Sequence, residues 1–204
     1  MDAGRVAGPF KIPPKNLKVS PLGLVPKNNG GFRVIHNLSY SQNSDFPSVN
    51  EGIPHEACRV QYAEIQDAIS LVRSAGRGCY MARSDIQNAF KIIPINPADY
   101  ELQGFEWQGQ FYFDKTLAMG CSLSCHIFEA FSTALQWILQ NKFKIELVTH
   151  ILDDFFFVHP SKRGCQALLD KFLWLCNDIG IPIAFKKTFG PDQVLPFEIG
   201  RAHV

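Results

Sequence analysis

The sequence predicts an α+β fold in which an antiparallel sheet is covered by helices. Three observations carry this. Short apolar runs come in pairs joined by turn residues. Three longer stretches repeat their apolar residues at helical spacing. The two kinds of segment alternate in the order strand, helix, hairpin, helix, hairpin, helix, strand.

The elements follow in chain order. Residues 1–30 are rich in Pro, Gly, Asn and Lys and read as extended arm and loop. Leu22–Pro26 and Phe32–Leu38 are short strands, and Lys27-Asn28-Asn29-Gly30-Gly31 between them has hairpin chemistry. Residues 39–60 are irregular. Tyr62–Ala75 has apolar residues at 65, 68, 69 and 72 and stops at Gly76 and Gly78, as a helix does. Cys79–Ala82 is a buried strand that leads into Asp85. Leu102–Trp107 and Phe111–Asp114 flank a second hairpin turn, Gln108-Gly109-Gln110. Ser122–Asn141 is apolar nearly all round, which predicts a buried helix. Ile145–Leu152 and Phe155–Val158 are apolar runs split only by Asp153-Asp154. Lys162–Asn177 is an amphipathic helix, and Ile181–Phe185 and Val194–Phe197 are short strands.

Composition narrows the function classes. The 204 residues are 46% hydrophobic and 19% charged, a soluble globular balance, and seventeen Phe can fill a substantial core. No apolar run approaches the roughly 18 residues of a membrane span, and Met1-Asp2-Ala3-Gly4-Arg5 opens no signal segment. The expected location is intracellular, in cytoplasm or nucleus, with no membrane partner. The six Cys form no C-x-x-C pair. Cys121, Cys125 and His126 cluster but lack a second half for zinc, so the thiols are read as reduced and buried. Net charge is only +1, yet residues 1–33 hold six cations against Asp2 (net +5), leaving 14 basic and 18 acidic groups (net −4). A basic leader ahead of an acidic body suits phosphate contacts at one end and metal-binding carboxylates at the other, and a solvated leader fits the charge alone equally well.

Asp153-Asp154 taken alone is a weak signal that its flanks strengthen. Two carboxylates a few ångströms apart raise each other's pKa unless cations neutralise them. An Asp-Asp pair alone also fits a solvated turn. Its apolar flanks, His150-Ile-Leu and Phe155-Phe-Phe-Val158, argue that the turn is held inside the fold. Asp85 ends a second apolar strand. Together they can assemble a site for two metal ions, about 3.5–4 Å apart in such sites. Mg²⁺ suits hard oxygen ligands.

At these residues the sequence resembles reverse transcriptases, from about residue 5 to 197. Ser20-Pro-Leu-Gly-Leu-Val-Pro-Lys27 with Gly31-Phe-Arg33-Val-Ile-His-Asn-Leu38 is similar to the family's fingers hairpin. Asp85-Ile-Gln-Asn-Ala-Phe90 is similar to its first catalytic motif, Thr116–Phe128 to the next, Ile151-Leu-Asp-Asp154 to the Tyr-x-Asp-Asp box, and Phe185-Lys-Lys-Thr188 to a later lysine motif. The resemblance implies a right-hand polymerase with fingers and palm, the antiparallel palm sheet packed on helices and the thumb absent. Residues 1–20 become a basic extended arm, 21–84 the fingers with the hairpin at 22–38, and 85–197 the palm. Asp85, Asp153 and Asp154, with the Ile86 backbone carbonyl, would hold two Mg²⁺ ions, with Mn²⁺ as a substitute. Lys27 and Arg33 would grip the triphosphate of a dNTP, Met119 and Gly120 would approach it, and Phe90 would exclude a ribose 2′-hydroxyl. Lys187 would protonate the leaving pyrophosphate. The implied partners are an RNA template with a DNA primer, and the oligomeric state stays open.

Two departures stand out. Ile151 replaces the usual Tyr, and Ala118-Met119 stand where many members carry Pro followed by Gln or Phe. The phrasing of Gly4–Phe10, Ser48–Ile53, Met119–Ser122 and Leu152–Phe155 resembles retrotransposons that encode a tyrosine recombinase, the DIRS and Ngaro-like group. Glu198-Ile-Gly-Arg-Ala-His-Val204 has the wording of a translated sequencing adapter. The expectation is an artefactual tail at 198–204 on a chain cut in mid-gene, without thumb, ribonuclease H or recombinase regions and with weak or no processive activity. The rivals are a catalytically decayed or domesticated RNA- or protein-binding domain, and an RNA-templated RNA polymerase, which Phe90 opposes.

Overall fold

The structure, a computed structural model, describes residues 4–27, 30–41 and 47–195. They form two compact units, one drawn from 1–60 and 89–128, the other from 61–88 and 129–204.

The second unit is built on a four-stranded antiparallel sheet. Its strands are β4 (Tyr80–Asp85), β7 (Val148–Ile151), β8 (Asp154–His159) and β9 (Phe189–Asp192), in the order β7-β8-β4-β9. The central strand β8 explains the run Phe155-Phe-Phe-Val158, which shows no alternation because all four side chains are buried. Phe155 and Phe157 lie 4.7 and 5.3 Å, ring to ring, from Phe172 of α3 (Lys162–Asp178). Phe156 and Val158 point the other way, into a cluster with Ala68, Leu71 and Val72 of α1 (Ile65–Ala75). Each of these buried side chains contributes roughly 2 kcal/mol of transfer free energy. Residues 129–141 of α2 (Ser124–Asn141) also belong to this unit.

The helices start and stop for local reasons. Helix α1 begins at Ile65, later than the expected 62, because Glu64 is extended and forms a reciprocal capping box with Asp67. Ser161 caps α3 by accepting from the Gly164 N–H at 3.1 Å.

The first unit holds a three-stranded sheet of order β1-β6-β5, made of β1 (Val6–Phe10), β5 (Gly104–Trp107) and β6 (Gln110–Asp114). It also holds the hairpin of β2 (Leu22–Pro26) and β3 (Phe32–His36), paired from Leu22↔His36 to Pro26↔Phe32. The strands flanking the expected turn at 27–31 are paired, residues 28 and 29 lying outside the described set, and the turn expected at 108–110 narrows to Gln108-Gly109, Gln110 being already in β6.

The α+β class and antiparallel sheet stand, while further local expectations change. Residues 6–10 of the arm are not loop but edge strand β1, where Pro9 costs no interior ladder bond. Ile181–Phe185 is no strand: only Ile183 bridges to Ile86, and a 3₁₀ turn follows at Phe185–Lys187. The last strand lies at Phe189–Asp192 instead, and Val194-Leu195 are not in a strand. At Gly190, φ is +91° and an added Cβ would fall 2.4 Å from Met81 O, so only glycine lets β9 approach β4 this closely. A Gly-Pro pair in the sequence reads as a breaker and hid this strand. Residues 196–204, with the expected tail, lie outside the described residues. No described helix is long and apolar enough to cross a membrane.

Candidate active site

The site grows from one hairpin and its neighbour strand. Asp85 is the last residue of β4 and pairs in register with Asp154, the first residue of β8. The turn of the β7–β8 hairpin is Leu152-Asp153, so the two adjacent acids divide: Asp153 sits in the turn and Asp154 on the strand. The Ile86 N–H donates to Asp153 O at 2.9 Å and ties the turn to the end of β4.

Leu152 holds φ +52°, a left-handed conformation that costs a branched residue about 1–2 kcal/mol. Its N–H donates to Glu129 Oε2 at 2.9 Å, from α2. Glu129 is buried, and its other oxygen lies 3.3 Å from His150 Nε2, while His150 Nδ1 lies 2.6 Å from Gln136 Oε1. Glu129, His150 and Gln136 thus brace the turn from below. Sequence reasoning missed Glu129, although a single acid on a helix apolar nearly all round was a readable signal.

The electrostatics centre on Asp154. Burial pushes its pKa up to about 7; Arg83 opposes this, and Asp85 and Asp153 add to it. Arg83 Nη2 lies 3.3 Å from Asp154 Oδ2, and the buried guanidinium also stands 5.6 Å over the Phe189 ring. Asp154 Oδ1 is buried with no hydrogen-bond partner among the described residues. Arg83 is a second residue the sequence reading passed over. Its signal is a lone cation in an otherwise buried strand, two places before Asp85.

Lys187 reaches the same place. Its Nζ lies 2.8 Å from Asp85 Oδ2, although the side chain is 55% exposed. The segment carrying it is fixed by two backbone bonds at 2.8 Å, Gln87 N–H to Pro182 O and Ala184 N–H to Asp85 O.

The structure therefore gathers Asp85, Asp153, Asp154, Ile86 and Lys187 in the second unit. Lys27, Arg33, Phe90, Met119 and Gly120 belong to the first. Lys27 is exposed at the hairpin end, its N–H donating to Gly31 O at 3.0 Å, and Arg33 is exposed on β3. Phe90 lies in the 3₁₀ turn Ala89–Ile92, half-buried and edge-on to Phe128 at 5.7 Å. Met119 O accepts from the His36 N–H at 2.8 Å. Cys58, Cys121 and Cys125 are only half-buried, unlike Cys79, Cys165 and Cys176, and His126 Nδ1 faces Arg59 O at 2.8 Å.

Among the described residues no three of His, Cys, Asp and Glu converge into a ready-made cage for a metal ion. Mg²⁺ is commonly held by one or two carboxylates, completed by water and substrate phosphates. The donors fit such an ion: oxygens only, one of them buried and unpartnered on Asp154.

The model of the family described as "Reverse transcriptase (RNA-dependent DNA polymerase)" matches residues 25–194. The Pro-Pol polyprotein of feline foamy virus is 27% identical over 178 residues, covering 87% of this chain and 14% of that protein. Protein P of duck hepatitis B virus is 33% identical over 105 residues, covering 51% of this chain and 12% of that protein. The chain thus spans a small part of these relatives. Among solved structures, the prototype foamy virus protease–reverse transcriptase aligns at TM-score 0.68 and 25% identity, over 91% of this chain and 22% of that one. A foamy viral protease–reverse transcriptase in complex with double-stranded DNA aligns at TM-score 0.70 and 22% identity, over 95% of this chain and 36% of that one.

Proposed function

The chain belongs to the reverse transcriptase family, and from that premise we propose that it carries the centre for RNA-directed DNA synthesis, extending a DNA primer with dNTPs on an RNA template. The observation that carries this reading is the pairing of Asp85 with Asp154 across β4 and β8, with Asp153 at the adjoining turn and a buried carboxylate oxygen left unpartnered.

Asp85, Asp153 and Asp154 would hold two Mg²⁺ ions, with Mn²⁺ as a substitute and the Ile86 carbonyl as a further donor. When bound, these ions lower the pKa of the primer 3′-hydroxyl and neutralise the phosphates. Arg83 holds Asp154 in place through Oδ2, so the unpartnered Oδ1 would be the oxygen available as a donor to an ion. Lys27 and Arg33 bind phosphate oxygens, the first as a point charge and the second as a fork. Phe90 closes the space beside C2′ of the sugar. Lys187 exchanges its Asp85 partner for the pyrophosphate and delivers a proton from Nζ to the leaving oxygen.

In this reading residues 1–20 are a basic arm, 21–84 the fingers and 85–197 the palm, and the protein works inside the cell, in cytoplasm or nucleus. The motif wording at 48–53 and 119–122 supports a parent element of the DIRS and Ngaro-like group. Primer extension on an RNA template tests the reaction: Asp153→Asn is expected to abolish incorporation, and undiminished extension would overturn the assignment. Phe90→Ala is expected to admit NTPs alongside dNTPs.

A further inference from the structure

The loop 119–122 ahead of α2 rests on the end of β3. Gly120 has φ +121°, and a Cβ there would fall 2.0 Å from His36 O, so the two backbones are in direct contact. One fastening is the His36 N–H to Met119 O bond of 2.8 Å. Another is a single side chain, Asn50, at the start of the 3₁₀ turn Asn50–Gly52. Its Nδ2 donates to Gly120 O at 2.9 Å and to Ser39 Oγ at 2.8 Å. Its Oδ1 accepts from the Ser122 N–H at 3.0 Å and from Ser122 Oγ at 3.3 Å. The Asn50 N–H donates in turn to Leu38 O at 3.0 Å, just beyond β3.

Backbone groups outside helices and strands must find partners elsewhere, and those partners decide the loop's shape. Here one carboxamide serves an acceptor, Gly120 O, and a donor, Ser122 N–H, two residues apart. An amide can do both at once; an aspartate has no hydrogen for Gly120 O, and an alanine reaches neither. Ser48 and Glu51 secure the turn that presents Asn50, the Glu51 N–H donating to Ser48 Oγ at 3.2 Å and Glu51 Oε2 accepting from the Ser48 N–H.

We propose that Asn50 is a positioning residue for nucleotide binding, which holds the Met119–Gly120 loop in the conformation that receives the incoming dNTP. The proposal rests on the polymerase reading, which sets that loop beside the nucleotide.

The test compares wild type, Asn50→Ala and Asn50→Asp by amide hydrogen exchange and by dNTP affinity on a dideoxy-terminated primer–template. Asn50→Ala is expected to speed exchange at Ser122 and to weaken dNTP binding, each by about ten-fold, the scale of one lost hydrogen bond. Amides of β7 and β8 keep their wild-type exchange, which separates the effect from unfolding. Asn50→Asp keeps the acceptor for Ser122, so its Ser122 exchange stays near wild type while dNTP affinity still falls. Wild-type exchange and affinity in Asn50→Ala would overturn the proposal and leave the polymerase reading standing. Wild type that binds no dNTP, with Ser122 protection still lost in Asn50→Ala, would overturn it through the failure of that reading.

Discussion

Asp114, buried, and Asp154, half-buried, are carboxylates at strand ends in different units, and they meet opposite surroundings. Asp114 closes β6. Burial raises its pKa, but His36 and Lys91 outweigh burial and leave it below the ordinary carboxylate value. Lys91 Nζ lies 2.8 Å from Oδ1, and His36 Nδ1 lies 3.7 Å from Oδ2 while its Nε2 faces Gly104 O at 2.9 Å. Asp154 opens β8 with two cations, Arg83 and Lys187, that do not outweigh burial and two neighbouring acids. Burial alone does not mark a functional acid. The balance of neighbours does: Asp114 is neutralised by its own fold, whereas Asp154 calls for a cation from outside.

The largest loss from a single substitution should come from breaking the satisfied site. Asp114→Asn leaves Lys91 and His36 facing a neutral amide, and the loss should be about 3 kcal/mol, the scale for breaking a buried ion pair. Urea unfolding would read it, and a loss within measurement error would remove the contrast between the two acids.

The unsatisfied site should behave in the opposite sense. The folded-state pKa of Asp154, about 7, exceeds the ordinary 3.8, so the folded chain holds a proton that the unfolded chain has released. Its stabilising contribution is full below pH 3.8 and is lost as pH rises towards 7. Without divalent metal the decline should reach at most about 4 kcal/mol. Asp154→Asn should flatten this decline in pH-dependent unfolding. At pH above 7, added Mg²⁺ or Mn²⁺ should raise the Tm of wild type more than that of Asp154→Asn. An equal rise would show that the ion stabilises the fold elsewhere.

The smallest stability effect should come from Lys187→Met. The Lys187–Asp85 pair is largely open to solvent on the lysine side, so its loss should cost only about 0.5 kcal/mol. Primer extension should fall far more than thermal stability does. A matching drop in both would reduce Lys187 to a structural cation.

Much of the second unit was legible in the sequence. Phe155–Val158 reads as a strand buried on both faces, and α3 and the hairpins follow from local periodicity and turn residues. The acids Asp85, Asp153 and Asp154 were legible because carboxylates at the ends of apolar strands are unusual. Strands β1 and β9 were not, since each contains a Gly-Pro pair that reads as a turn until a partner strand is present. Glu129, Arg83 and Asn50 were also missed, because each acts through partners far away in sequence.

By itself the sequence determined the element types, their order, the antiparallel fold class and which acids could form a centre. Those properties depend on neighbours within a few residues along the chain. Only the tertiary structure decided that Asp154 meets its cations beside two other acids while Asp114 meets cations alone, that Lys187 rests on Asp85, and that Asn50 holds the loop at Gly120. Each depends on which distant side chain reaches a given carboxylate or backbone group once the sheets have formed.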